Sequence, residues 1–268
     1  MEIIVTDADA IGALVADEVQ ALLARRPDAV LGLATGSSPL RVYDELAARV
    51  RDGRVTFAGA RGFTLDEYVG LAPGDPRSYR AVIHDELVSR VDFAPGAVLG
   101  PDGGASDLVA ACADFERAIQ AAGGIDLQLL GVGTTGHIAF NEPASSFASR
   151  TRVKTLTAQT RRDNARFFDG DVDAVPRHCL TQGLGTILES RQAIVIATGA
   201  AKAPAVREMV EGAVSARWPC TALQLHPNAL VVLDEEAAAG LELIDYYREV
   251  AEHRGAVRRS APGGMLAP

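Results

Sequence analysis

"IDLQLLGVGTTGHIAFNEP", residues 125–143, decides how this chain is read. Its first part, "IDLQLLGV", is a largely apolar run of strand length, the pattern of a strand buried on both faces of a parallel sheet. It ends in a glycine-rich turn that delivers Thr135, His137 and Glu142. In an open parallel sheet, ligands bind just beyond the carboxyl ends of the strands. A histidine and a glutamate at that point are therefore placed for chemistry as well as for packing.

The same alternation runs outward in both directions. "EIIV" near the amino terminus precedes an amphipathic stretch, "AIGALVADEVQALLARR", with Ile11, Leu14, Val15, Val19, Leu22 and Leu23 on one face. "AVLGLA" reads as a strand and "SPLRVYDELAARV" as a helix entered through Ser38 and Pro39. Further on, "AIVIATG" and "ALVVLD" read as strands, followed by helical patterns in "APAVREMVEG" and "EEAAAGLELIDYYREVAEH". Strands interleaved with helices predict an α/β fold: an open, mostly parallel, doubly wound sheet with helices on both faces, Rossmann-like in architecture. Residues 1–254 read as one domain, and 255–268 as a loose carboxyl-terminal tail with Gly, Pro and charge but no periodicity.

Composition narrows the function. A formal charge of −9 over 268 residues argues against a nucleic-acid or anionic-membrane surface. No apolar run nears the roughly 20 residues that span a bilayer, and the start lacks the pattern of a secretion signal. Three scattered cysteines, Cys112, Cys179 and Cys220, suit reduced thiols in a cytoplasm and form no zinc pattern. Of 26 basic residues only two are lysines, Lys154 and Lys202. Where arginine is so favoured, a lysine suggests a position that needs a compact ammonium.

Four post-strand segments carry polar groups. "TGSSP" supplies Thr35, Gly36, Ser37 and Ser38 before a helix, where free N–H groups and hydroxyls suit a phosphate; the plainer alternative is an N-cap by Ser37 or Ser38. "TGAAKA" puts Lys202 at a helix start, against the helix dipole, which an intervening anion would explain. Arg166, in "DNARFFDGD", reads from pattern alone as a solvated helical arginine. "TLDEYVGL" presents Asp66 and Glu67 together; in extended chain only one faces a pocket, and the other is free to cap a helix or pair with an arginine. A shielded carboxylate there can act as a general base. His137 with Glu142 forms an imidazole–carboxylate pair, and H-x-x-x-x-E matches no standard zinc pattern. Finally, Arg150, Arg152 and Lys154 alternate, so a strand there would put three cations on one face. Such a face either gathers an anion or is the charged edge of a sheet.

"GTTGHIAFNEPASSFASRTRVKTLT", with "LDEYVGL", "ATGSSP" and "LQLHPNA", closely resembles the glucosamine-6-phosphate deaminase family, from the first strand to about His253. The resemblance implies an open α/β sheet and conversion of glucosamine 6-phosphate and water to fructose 6-phosphate and ammonia, without metal or organic cofactor. It implies that Asp66 moves the proton between C2 and C1, and that His137, held by Glu142, opens the pyranose ring. The 6-phosphate would lie on Thr35–Ser38 with Arg166 and Lys202. Where the family carries Asp, or in some members Asn, this chain has Thr135, a hydroxyl without charge. Allosteric members bind N-acetylglucosamine 6-phosphate between subunits; the matching positions here are Ser145, Ser146, Arg152 and Lys154, which would imply a homo-oligomer, with a hexamer favoured. Two alternatives stand beside this reading: a 6-phosphogluconolactonase-like hydrolase, and a sugar-phosphate sensor with weakened catalysis.

Overall fold

The computed structural model describes residues 1–260, and side chains as far as His253. Among the described residues ten strands are formed: β1 Glu2–Val5, β2 Val30–Leu33, β3 Arg61–Thr64, β4 Asp66–Tyr68, β5 Val98–Leu99, β6 Leu127–Gly131, β7 Arg152–Thr155, β8 His178–Thr181, β9 Ala193–Ala197 and β10 Ala229–Leu233. Seven make a sheet in the order β1-β10-β9-β6-β2-β3-β5, with every pairing parallel. The doubly wound architecture expected from the sequence is the one observed.

Its helices are α1 Ala10–Arg25, α2 Leu40–Arg51, α3 Tyr79–Glu86, α4 Leu108–Ala121, α5 Ala158–Asn164, α6 Leu184–Leu188, α7 Ala203–Glu211, α8 Glu235–Ala238 and α9 Ile244–Ser260. The sheet is covered on both sides. Val30 and Phe63 pack with Phe115 and Ile119 of α4, whereas Leu31 and Leu33, pointing the other way, join Ile11, Val15 and Leu46 of α1 and α2. That is why β2, β9 and β10 are buried at every position and read as continuous apolar runs. Among the described residues no helix is long and apolar enough to cross a membrane.

Chain order fixes where a ligand goes. From β2 the chain steps outward through β3 to β5, then returns through β6 on the opposite side of β2. The direction of winding reverses between β2 and β6, and the crevice of such a fold opens beyond the carboxyl ends of those two strands. They end at the "TGSSP" and "GTTGH" segments.

Two features depart from the sequence reading. A second sheet, antiparallel, in the order β4-β8-β7, stands beside the main one. The helical pattern after β10 is broken into α8 and α9 around Gly240, whose missing side chain would meet the backbone of Ala203 and the side chain of Arg207. Helix α9 runs to Ser260. The remainder of the expected tail, 261–268, lies outside the described residues.

Candidate active site

A cavity of about 770 Å³ opens at the predicted crevice. Thr35, Gly36, Ser37 and Ser38 line one part of it, together with Arg166 and Lys202; Asp66 and His137 line it as well. Six residues read as phosphate binders and two read as acid–base groups thus share one space.

Among the described residues the hydroxyls of the "TGSSP" turn cap no helix and have no hydrogen-bond partner. Helix α2 has Pro39 at its N-cap and no side-chain cap bond, so neither Ser37 nor Ser38 takes the capping role. Across the cavity, Lys202 ends a 3-10 turn, Ala200–Lys202, that leads into α7. Both carboxylate oxygens of Asp234 accept from Gly199 N, at 3.1 and 2.9 Å, and Glu236 accepts from Ala200 N at 3.2 Å, so this turn is clamped from β10 and α8. Burial, and then the neighbouring charge of Arg166, hold the Lys202 ammonium below its ordinary pKa, against the opposing pull of Asp163. Arg166 stands on the 3-10 turn Ala165–Phe167, its guanidinium 4.7 Å from the Phe167 ring centre. Neither cation forms a salt bridge among the described residues; Asp163, which lines the same cavity, offsets part of their charge.

Asp66 and Glu67 diverge as neighbours on a strand must. Glu67 accepts from the amides of Tyr68, Tyr79 and Arg80 at 2.8–3.0 Å and so holds the start of α3. Asp66 is 5% exposed, accepts no hydrogen bond among the described residues and faces the cavity. Burial, then the Glu67 charge, raise its carboxyl well above the ordinary aspartate range. A carboxylate so placed is more basic than one in water.

His137 sits on a turn whose glycines are there for space. A side chain on Gly133 would run into the His137 ring, and one on Gly136, whose φ is +76°, would meet the Trp218 ring. Behind the ring, Thr135 Oγ1 lies 3.0 Å from His137 Nδ1 and 3.4 Å from Glu142 Oε2, and the direct Nδ1–Oε2 separation is 3.6 Å. Glu142 also accepts from Thr160 Oγ1 at 2.5 Å, Thr157 Oγ1 at 3.2 Å and Thr157 N at 3.3 Å. Burial alone would raise the Glu142 carboxyl. The His137 contact, the Thr160 hydroxyl and the Thr157 amide outweigh it and hold the pKa at about 2.

An ionised carboxylate only accepts, so the single Thr135 hydroxyl proton points to Glu142 and its lone pair faces Nδ1. Nδ1 then carries the hydrogen. Nε2, without a protein partner among the described residues, is the ring nitrogen left to exchange protons.

The cations of the 150s separate. Arg150 precedes β7 and is paired with Glu189, so the expected row of three is a row of two. Arg152 and Lys154 share the half-buried face of β7, and neither has a carboxylate partner among the described residues. Burial, then the Arg152 charge, depress the Lys154 ammonium. Ser145 is buried and donates to Glu142 O at 2.7 Å, while the exposed Ser146 accepts from Ala148 N at 3.2 Å. Sequence reasoning missed Thr157, Thr160, Asp234 and Glu236. The "LDEE" following an apolar run was a helix-start signal for the last two, and Thr157, at the N-cap of α5, is a signal of the same kind; Thr160 had none.

A family model described as glucosamine-6-phosphate isomerases/6-phosphogluconolactonase matches residues 6–232. Glucosamine-6-phosphate deaminase of Mycolicibacterium smegmatis is 65% identical over 247 residues, covering 92% of this chain and 95% of that protein. The Streptomyces coelicolor protein of the same name is 56% identical over 252 residues, covering 94% and 97%. A solved monomeric glucosamine-6-phosphate deaminase superposes with a TM-score of 0.87 at 39% identity, covering 90% of this chain and 100% of that one. A 6-phosphogluconolactonase from Thermotoga maritima, at 18% identity and a TM-score of 0.68 over 87% of this chain and 99% of its own, shares the fold. The chain belongs to the family of glucosamine-6-phosphate isomerases and 6-phosphogluconolactonases.

Proposed function

We propose that this chain is an enzyme that converts glucosamine 6-phosphate and water to fructose 6-phosphate and ammonia. The observation that carries the reading is the presence, on one cavity, of a cationic cradle, a shielded carboxylate and an imidazole with one free nitrogen. Hydrolysis of a lactone needs a base for water but no second group to shuttle a proton at C2. Asp66 and the Glu142-held His137 together therefore favour the isomerising deaminase.

The chemistry follows from the placement. With the phosphate between Lys202, Arg166 and the Thr35–Ser38 turn, the sugar extends toward Asp66 and His137. His137 Nε2 takes the O1 proton and passes it to O5 as the C1–O5 bond breaks, which opens the ring. Asp66 removes the C2 proton; that electron pair forms C1=C2 while the aldehyde oxygen takes a proton from the substrate's own C2 ammonium group. Return of the proton from Asp66 to C1 leaves an iminium at C2, to which water adds before ammonia departs. Two proton-transfer groups held apart are what these steps need.

The finer parts of the proposal concern context. N-acetylglucosamine 6-phosphate acts as an effector at Ser145, Ser146, Arg152 and Lys154, in a homo-oligomer, with a hexamer as the favoured form, in the cytoplasm. The two unpaired cations of β7 support the effector. The test of the core reading is release of ammonia and fructose 6-phosphate from glucosamine 6-phosphate, abolished by Asp66→Asn with substrate binding retained. Near-normal turnover in that variant would remove Asp66 from its role.

A further inference from the structure

The turn that carries His137 and Glu142 holds two non-glycine residues in the left-handed region, Ala139 at φ +50° and Ala144 at φ +69°. Backbone of this kind persists only where its surroundings over-determine it. Between the two alanines lies Asn141, fully buried, and its side-chain amide is completely used. Nδ2 donates to Ile138 O at 3.0 Å and to Gln182 O at 2.8 Å, while Oδ1 accepts from Arg152 Nη1 at 3.0 Å. One amide thus ties the turn to itself, to the end of β8 and to β7. Arg152 makes only one other hydrogen bond, to Arg150 O at 3.3 Å, and forms no ion pair among the described residues. Its half-buried guanidinium is spent on a neutral amide.

We propose that Asn141 and Arg152 are positioning residues that hold the strained turn, and with it the His137–Thr135–Glu142 geometry, against β7 and β8. The inference rests on the assignment of His137 and Glu142 to ring opening. Neither residue lines the cavity, so loss of the latch should slow the step that His137 performs and leave the phosphate cradle intact.

The test compares wild type with Arg152→Ala, Arg152→Gln, Asn141→Asp and the neighbouring Arg150→Ala. Arg152→Ala should lower kcat by about ten- to a hundredfold, the scale of a misplaced catalytic group, with KM within about twofold. Slow ring opening masks cleavage of the C2–H bond, so the isotope effect on kcat with C2-deuterated substrate should shrink. Arg152→Gln keeps a donor for Asn141 Oδ1 and should restore most of kcat, and Arg150→Ala should match wild type. Asn141→Asp keeps the acceptor but loses both donations. It should be as slow as Arg152→Ala, and it carries the test if that variant does not fold. Amide hydrogen exchange at Asn141 and Ser145, whose N–H groups bond within the turn, should quicken in the slow variants and stay near wild type in Arg152→Gln. Wild-type kcat in Arg152→Ala, an Arg152→Gln as slow as the alanine, or unchanged exchange in the slow variants would each overturn the proposal. Absence of turnover in the wild type would remove the deaminase reading and leave the exchange comparison standing.

Discussion

At the scale of the residue, a hydroxyl takes a position where the resemblance led to an acid. Thr135 brings no charge, yet it stands between His137 and Glu142 and sets which nitrogen carries the hydrogen. Thr135→Val, nearly the same shape, removes that bridge and leaves Glu142 3.6 Å from Nδ1. A hydrogen bond to a charged group contributes roughly 1.5–3 kcal/mol, so kcat should fall about ten- to a hundredfold while KM holds. Thr135→Ser should keep most of the activity. Equal turnover in the valine and wild-type proteins would mean that Glu142 alone orients the ring. The sequence showed Thr135, His137 and Glu142 in one turn but not the bridge, because their contact depends on the backbone path around Gly133 and Gly136. It likewise showed Asp66 and Glu67 as a pair. Only the position of α3 decides which one is satisfied by amides and which is left to the cavity.

At the scale of the element, legibility followed the length of continuous apolar sequence. The central strands β2, β6, β9 and β10 are covered on both faces, so their composition announced them, whereas the two-residue edge strand β5 is half-buried to exposed and did not show. The β4-β8-β7 sheet did not show, because its strands have three or four residues, and "DEY", "RVKT" and "HCLT" mix charge with apolar groups. Yet this sheet carries Asp66 at one edge and Arg152 with Lys154 at the other. The phosphate cradle is an element-scale object too, since three separate turns must meet. Lys202→Ala should raise KM for glucosamine 6-phosphate about ten- to a hundredfold with little change in kcat, because a phosphate contact binds ground and transition states alike. Asp234→Ala, which frees Gly199 N, should move KM in the same direction by loosening the turn beneath Lys202. Unchanged KM in both variants would place the phosphate elsewhere.

At the scale of the molecule, two behaviours depend on charges held inside the fold. The first is acid stability. Glu142 has its folded pKa depressed to about 2 from an ordinary 4.5, so its contribution is fully present above 4.5 and is lost as pH falls toward 2. Glu142→Gln should therefore flatten the decline of unfolding free energy across that window, measured by denaturant melts at stepped pH; an unchanged slope would mean the carboxylate is not paired in the folded state. The second is regulation. Arg152 and Lys154 share the half-buried face of β7, where burial and then the Arg152 charge depress the Lys154 ammonium and burial lowers the Arg152 guanidinium, and among the described residues neither has a carboxylate partner. A phosphorylated effector would relieve that repulsion, and the guanidinium has donors enough to bind it while Nη1 keeps its bond to Asn141 Oδ1. Binding there would brace the turn that bears His137 and Glu142, and by linkage substrate would alter effector affinity by the same factor. N-acetylglucosamine 6-phosphate should accordingly activate the enzyme or sharpen its substrate curve, and Lys154→Ala should lose the response. Sedimentation with and without effector places the effect within one chain or between several, a point on which the solved monomeric relative gives the contrasting case. If substrate curves of the wild type are superimposable up to millimolar effector, the two cations serve only the fold, and Arg152 keeps its place solely as the partner of Asn141.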